Sequence, residues 1–301
     1  MMAPTLSIGI LGLGAMGEAV TSLLLEKGFR PVVWNRTRGA VCNLTAQGAL
    51  PADHPADLAL QSDITLVLLS DHAVIDAVVF GERGWVSGVA EKACDNRALV
   101  NMATVAPRHN RLLCQRLRQH GVRFLEAPVL GSVVPARQGR LKAITAGDRS
   151  LHQESEPLFR VLTREVLDLG EEVGRASAYK LVNNLMLGIL AAGLAEGIHF
   201  AQALGFSSSL LLDTLQAGPL GSGFLAAKRP LLEQQSYPPS FSLGNMDKDL
   251  GYALSLAEDL GLSLPLGKGA KTLYGRALAQ GLAAQDMMAI ADFYQSQSPG
   301  A

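Results

Sequence analysis

The chain has 301 residues, 48% of them hydrophobic and 18% charged, with a formal net charge of -1. That much apolar material is more than one compact core usually takes and predicts two domains, and the near-neutral balance argues against nucleic acid or an anionic membrane surface as the main partner. Three cysteines, Cys42, Cys94 and Cys114, are odd in number, far apart and without ligand spacing to one another, which argues against a disulfide framework or zinc site and predicts a reducing, cytoplasmic setting.

Residues 7–11 form a short apolar run that reads as a strand, with no basic region and cleavage site of the kind a secretion signal carries. It ends in Gly12, Leu13, Gly14, Ala15, Met16 and Gly17. Residues 18–27 then place Val20, Leu23, Leu24 and Leu25 at helical spacing before Gly28. In such a turn Gly12 permits the bend, Gly14 lets the backbone approach a pyrophosphate, and Gly17 lets helix pack on strand. A second strand follows at residues 31–34, completing the start of a βαβ unit. At its end stand Asn35, Arg36 and Thr37 where NAD-binding chains of this kind carry Asp or Glu. A carboxylate would repel a 2′-phosphate and a guanidinium would pair with it, so the pattern favours NADP(H), against a reading of Arg36 and Arg38 as ordinary surface residues.

Further strands are predicted over residues 63–69, 98–101, 122–126 and 142–146. Ligands gather beyond the carboxyl ends of parallel strands, so Leu69, Ser70, Ala103 and Thr104 should border the cofactor. Arg108, Arg111, Arg116 and Arg118 read as a solvated helix face. Residues 127–132 read as a loop that either presents backbone donors to a substrate anion or simply turns the chain. From residue 177 a long, alanine-rich apolar segment runs to residue 204 and little strand signal follows. Its stretch 185–200, interrupted by Glu196 and His199, reads as a buried helix and not a membrane span, and residues 295–301 as a loose tail. The predicted fold is α/β, a Rossmann-type parallel-sheet domain over residues 1–175, then a long interdomain helix and an all-α substrate and oligomerisation domain over residues 176–301.

Lys180 and Asn184 lie one turn apart on that helix. A lysine beside a dinucleotide can protonate a carbonyl oxygen and stabilise its developing charge, with Asn184 orienting it or holding the oxygen. Spacing leaves open that Lys180 is a solvent residue and Asn184 a local cap.

Gly9-Ile10-Leu11-Gly12-Leu13-Gly14-Ala15-Met16-Gly17, Trp34-Asn35-Arg36-Thr37, Glu126-Ala127-Pro128-Val129-Leu130-Gly131-Ser132, Lys180-Leu181-Val182-Asn183-Asn184 and Lys248-Asp249-Leu250 together resemble the β-hydroxyacid dehydrogenase family. The resemblance covers nearly the whole chain. Ser236-Tyr237-Pro238-Pro239-Ser240-Phe241 makes it most similar to the glyoxylate and succinic semialdehyde reductase branch. It implies Lys180 as proton donor with Asn184 as its partner, and Leu130, Gly131 and Ser132 as the loop that binds the substrate carboxylate. It further implies Lys248 against the nicotinamide, Phe241 lining the cleft, Asp249 supporting the site, and a homodimer or homotetramer built on the long helix. Three positions depart from the family pattern: Leu130 stands for Ser, Ala103 for Ser, and Ala176 for Gly. The first removes a hydroxyl contact to a carboxylate, of the order of 1.5–3 kcal/mol.

The resulting expectation is an NADPH-dependent reductase of a small aldehyde or keto acid, with hydride from nicotinamide C4 and the proton from Lys180. Two alternatives stand beside it. One is an imine reductase of the same fold, which Leu130 favours and Lys180 disfavours. The other is a non-catalytic NADP(H)-binding module, which has no need of Lys180 and Asn184.

Overall fold

The computed structural model describes residues 6–92 and 97–295. Cys94 and the tail beyond Gln295 lie outside the described residues. The chain divides into two compact units, one running to Lys180 and one beginning at Leu181.

The first unit opens with β1 (Ile8–Leu11), α1 (Ala15–Glu26), β2 (Val32–Trp34), α2 (Arg38–Thr45), β3 (Leu50–Pro51) and α3 (Pro55–Gln61). It continues with β4 (Ile64–Val67), α4 (His72–Phe80), α5 (Trp85–Lys92), β5 (Ala98–Asn101), α6 (Pro107–Arg118) and β6 (Arg123–Glu126). Then come β7 (Val129–Leu130), α7 (Val133–Arg137), β8 (Leu141–Gly147), α8 (Arg149–Glu154), α9 (Glu156–Leu162) and β9 (Thr163–Asp168). Among the described residues these strands form one sheet in the order β3-β2-β1-β4-β5-β6-β8-β7, with β9 also on β8. The first six are parallel, and the order reverses between β1 and β4, the switch point at which open α/β sheets bind ligands.

The central strands are largely apolar, as strands covered on both faces are. Side chains alternate between faces, so Ile8 and Ile10, Ala98 and Val100, and Leu125 join one core with Leu24 and Leu162. Leu11, Leu99 and Phe124 join the opposite core with Trp85 and Leu113. The registers are in step: Trp34 pairs with Leu11, Leu11 with Val67, Val67 with Asn101, and Asn101 with Glu126. Five strands therefore finish on a single row.

One sequence expectation needs correcting here, and one strand has no counterpart among the predicted elements. Residues 127–132 are not wholly loop, since β7 pairs antiparallel with β8 through Val129 with Ala143 and Leu130 with Lys142. The strand β9 carries no apolar run to betray it. Its Thr-Arg-Glu-Val-Leu-Asp sequence lies on the sheet's edge with Arg164, Glu165 and Asp168 exposed.

The long helix α10 (Arg175–Ala203) begins in the first unit and continues into the second. It is followed by α11 (Ser208–Ala217), α12 (Gly223–Gln234), α13 (Leu243–Asp259), α14 (Pro265–Ala279) and α15 (Ile290–Gln295), with two 3₁₀ turns before the last. The fold is thus mixed α/β, a Rossmann-type parallel sheet followed by a helical carboxyl-terminal part. The helical core collects Ala191, Ala195, Leu212, Met246, Leu250, Tyr274, Met288 and Phe293. The expectation that α10 is buried is only half right. By length and composition it is apolar enough to cross a membrane, and Tyr179, Val182, Met186, Leu190 and Phe200 are exposed along it.

Polar groups enter the helical core as a closed set. The Asp286 carboxylate, fully buried, accepts two hydrogen bonds from Lys228 Nζ at 2.8 Å, one from the Ser240 hydroxyl at 2.8 Å, and others from the Ser240 and Met288 amides. Burial pushes this carboxyl up, but the hydrogen bond and charge of Lys228, with the Met288 amide and the Ser240 hydroxyl, outweigh it. The group is held below its ordinary value of 3.8. A carboxyl depressed on folding stabilises fully above its unfolded value and ceases to do so as pH falls through the folded one. Lys228→Met should cost about 3–5 kcal/mol at neutral pH by leaving the carboxylate unpaired. In denaturant unfolding followed by circular dichroism, that deficit should shrink as pH falls, first as the unpaired carboxyl of the variant is protonated and then, below 3.8, as the wild type loses its own contribution.

Candidate functional site

The turn after β1 is shaped by two collisions that side chains would suffer. Gly12 sits at φ +99°, and a Cβ there would lie 2.6 Å from the Leu68 carbonyl oxygen and 2.8 Å from Leu69 Cδ2. A Cβ on Gly17 would run into the Gly12 carbonyl oxygen, so the helix can start this close to the strand only without one. Gly14, by contrast, faces open space, with nothing within 4 Å of a notional Cβ. It is also the N-cap of α1, and no side chain caps that helix. Open space beside uncapped first-turn amides is what a pyrophosphate requires, so these residues fit a dinucleotide.

Asn35 ties the turn to the end of β2. Its Oδ1 accepts from the Leu13 amide at 3.1 Å, and its Nδ2 donates to Thr37 Oγ1 at 2.8 Å and to the Thr37 carbonyl at 3.1 Å. Asn35 therefore shapes the loop, and its amide is already engaged. Arg38 pairs with Asp53 at 3.0 Å, an exposed bridge of little energetic weight. Arg36 is exposed and has no hydrogen-bond or ionic partner among the described residues. Of the two guanidiniums, it is the one available to an incoming anion.

The neighbouring strand ends complete the rim. After β4, Leu69 is partly buried, and the Ser70 hydroxyl donates to Asp71, whose other oxygen caps α4 through the Val74 amide at 3.0 Å. After β5, the buried Ala103 donates its amide to Asn101 Oδ1 at 3.1 Å, with Thr104 beside it. Leu130, the last residue of β7, packs on a small cluster of Ile144, Ala146 and Ala176, together with Leu167 and Leu169. Two of the three departures from the family pattern thus meet in one apolar cluster. Gly131 lies exposed, and Ser132 is the N-cap of α7, where its hydroxyl makes no capping bond.

Lys180 is buried, 8% exposed, and stands three residues after Ser177 in the first turns of α10. One turn further along that helix, Asn184 belongs to the second unit. There its Nδ2 donates to Asp249 Oδ2 at 2.6 Å, and Lys248 Nζ donates to Asp249 Oδ1 at 2.8 Å. Asp249 is 1% exposed, so it is a buried carboxylate shared by an amide and an ammonium. Phe241 is not part of this cluster's bonding; it packs against the helical core and its amide donates to Asp286.

Sequence reasoning missed a second buried carboxylate. Glu126, at the end of β6, lies wholly inside the first unit and accepts from the start of α10, while Asn110 and Asn101 connect it to Ala103. The available signal was a carboxylate closing a strand directly after the apolar pair Phe124 and Leu125.

Comparison with known proteins gives this geometry a family. Residues 7–170 match the NAD binding domain of 6-phosphogluconate dehydrogenase, and residues 174–294 match the NAD-binding domain of NADP-dependent 3-hydroxyisobutyrate dehydrogenase. The chain belongs to the β-hydroxyacid dehydrogenase family. It is 34% identical to glyoxylate/succinic semialdehyde reductase 1 of Arabidopsis thaliana, over 95% of this chain and 97% of that protein. It is 36% identical to the cytokine-like nuclear factor N-PAC of Homo sapiens, over 94% of this chain and 50% of that protein. Among solved structures, 3-hydroxyisobutyrate dehydrogenase from Salmonella typhimurium shares the fold with a TM-score of 0.87 at 23% identity, covering 96% of this chain and 99% of that one. This family member is a nicotinamide-dependent oxidoreductase acting on a small molecule.

Gly17→Ala should weaken binding of the nicotinamide dinucleotide by at least about 1.4 kcal/mol, tenfold in Kd, because the new methyl displaces the Gly12 carbonyl. Isothermal titration of the folded variant checks this.

Proposed function

We propose that the protein is an NADPH-dependent reductase of a small aldehyde or keto acid of the glyoxylate or succinic semialdehyde type, yielding the hydroxyacid. The observation that carries the reading is Lys180, a buried lysine on the helix that follows the Rossmann sheet, in a chain similar end to end to a reductase of those two aldehydes.

A reduced nicotinamide, when bound, supplies a hydride. The residues of the chain supply the rest. Gly12, Gly14 and Gly17 with the start of α1 hold the pyrophosphate, and Arg36 pairs with a 2′-phosphate. Leu69, Ser70, Ala103 and Thr104 border the cofactor. The Lys180 ammonium donates a proton to the substrate oxygen, which otherwise would hold the full negative charge of an alkoxide. Asn184, whose amide hydrogen-bonds Asp249, orients that oxygen. By the family resemblance, Lys248 is assigned to the nicotinamide and Phe241 to the substrate. Gly131 and Ser132 offer backbone amides and one hydroxyl to the substrate carboxylate. Leu130 offers no hydroxyl, and its packing on Ile144, Ala146 and Ala176 supports a smaller, less polar carboxylate pocket.

We further propose a homodimer or homotetramer in the cytoplasm. Tyr179, Val182, Met186, Leu190 and Phe200 fall on one face of α10, an exposed apolar stripe that a second copy would cover. A single-chain mass by light scattering would overturn this. Cys42 and Cys114 are both free thiols, in keeping with a reducing compartment.

Lys180→Ala should lower kcat for glyoxylate and succinic semialdehyde by about 10²–10⁴ and leave NADPH affinity nearly intact. A panel read by NADPH absorbance, including a cyclic imine, separates the readings: turnover of the imine alone identifies an imine reductase, and tight binding without any turnover a non-catalytic module. Arg36→Ala should raise the KM for NADPH by about 10- to 100-fold, the value of one charge-assisted contact, and leave the KM for NADH unchanged.

A further inference from the structure

Five hydrogen bonds converge on one carboxylate inside the first unit. Glu126 Oε1 accepts from the amides of Gly174 at 2.7 Å and Ala176 at 2.8 Å. Its Oε2 accepts from the Ser177 hydroxyl at 2.8 Å, the Ser177 amide at 3.3 Å and Asn110 Nδ2 at 2.7 Å. Asn110 Oδ1 in turn accepts from Asn101 Nδ2 at 2.7 Å, and Asn101 Oδ1 accepts from the Ala103 amide. Glu126, Asn101, Asn110 and Ser177 are all 0% exposed.

Such a cluster is expensive to bury and is tolerated only when every donor and acceptor is matched. What it connects is therefore informative. Glu126 and Asn101 are register partners at the carboxyl ends of β6 and β5, the rigid row of the sheet. The groups they hold are the Ala103 amide, at the border of the cofactor, and the first amides of α10. The carboxylate satisfies three of the amides around that helix start and faces the positive end of its dipole. Lys180 lies one turn beyond Ser177 on the same helix. The angular phase and height of the helix start above the sheet decide where the lysine's ammonium falls, and Glu126 is bonded to that start.

We infer that Glu126 is the positioning residue for Lys180, linking the strand end that borders the nicotinamide to the helix that carries the proton donor, with Asn110 and Asn101 as the intermediate links. The inference rests on Lys180 being the proton donor. Glu126 does not touch substrate or cofactor; it acts by fixing the lysine's place relative to the rim of the sheet. Removing its charge leaves an amide that must present two donors to a site built entirely of donors, so the start of α10 rotates or lifts while the remaining turns hold.

The experiment uses the full chain and the variants Glu126→Gln, Ser177→Ala, Lys180→Ala and Trp85→Phe. The last removes a buried hydrogen bond to Thr65 elsewhere in the same unit and serves as a stability control. Each is measured for kcat and KM with glyoxylate or succinic semialdehyde, NADPH affinity by fluorescence, Tm, and the solvent deuterium isotope effect on kcat. Glu126→Gln should lower kcat by at least about thirtyfold, the scale of an ångström-level misplacement of a catalytic group, with NADPH affinity held within about twofold. Its solvent isotope effect should rise as proton donation becomes rate-limiting, whereas Trp85→Phe lowers Tm without moving kcat or the isotope effect. Ser177→Ala removes one of the five donors and should show the same signature at about three- to tenfold in kcat, so the inference can be decided even if Glu126→Gln does not fold. Wild-type kcat and isotope effect in a folded Glu126→Gln, or in Ser177→Ala when the former cannot be obtained, would overturn the inference and leave Glu126 a structural cap. Full activity in Lys180→Ala would instead overturn the assignment of the proton donor.

Discussion

Five parallel strands that end on one row impose the main constraint on the first unit. Their backbone groups are satisfied inside the sheet and their side chains are consumed by two cores, so nothing along their length is free for chemistry. What the sheet itself offers to chemistry is confined to the residues just past the row, where the chain leaves the sheet. The glycine turn, Asn35, Leu69, Ala103 and the stretch from Ala127 to Ser132 all occupy that rim. The switch in strand order between β1 and β4 opens it, and the close fit of Gly17 against the Gly12 carbonyl brings the amides of α1 to it.

The two units solve the problem of buried charge in the same way and for different ends. Asp286 collects an ammonium, a hydroxyl and backbone amides inside the helical core, and the result is cohesion among α12, the segment before α13 and the final turns. Glu126 collects amides, a hydroxyl and a carboxamide, with no cation among its bonded partners. Its described hydrogen bonds all come from uncharged donors, converging from α6 and from the start of α10. Such an arrangement is directional, which suits the fixing of one helix start more than the tightening of a core.

The apolar cluster of Ile144, Ala146 and Ala176, with Leu130 against it, gives a physical reading to two substitutions that looked independent in the sequence. A serine replaced by leucine at the end of β7 and a glycine replaced by alanine at the start of α10 both add carbon to the same place. The edge of the sheet there exchanges a polar group for an apolar one. Substrate preference within this family should therefore be read from the pair and not from Leu130 alone.

The sequence by itself determined the βαβ beginning, the glycine turn, the change from sheet to helices and the family, because each is written in local spacing or in contiguous motifs. It also named Lys180, Asn184, Lys248 and Asp249, though spacing alone left Lys180 open. Tertiary structure alone decided that Asn35 is bound to the turn while Arg36 is available, that β9 is a strand despite its polar sequence, that α10 exposes an apolar face, and that Glu126 reaches the start of that helix. The reason is distance along the chain. Glu126 and Ser177 are 51 residues apart, and Asn184 and Asp249 are 65 apart, so no local pattern announces their bonds; only the folded sheet and helices bring those groups within 3 Å.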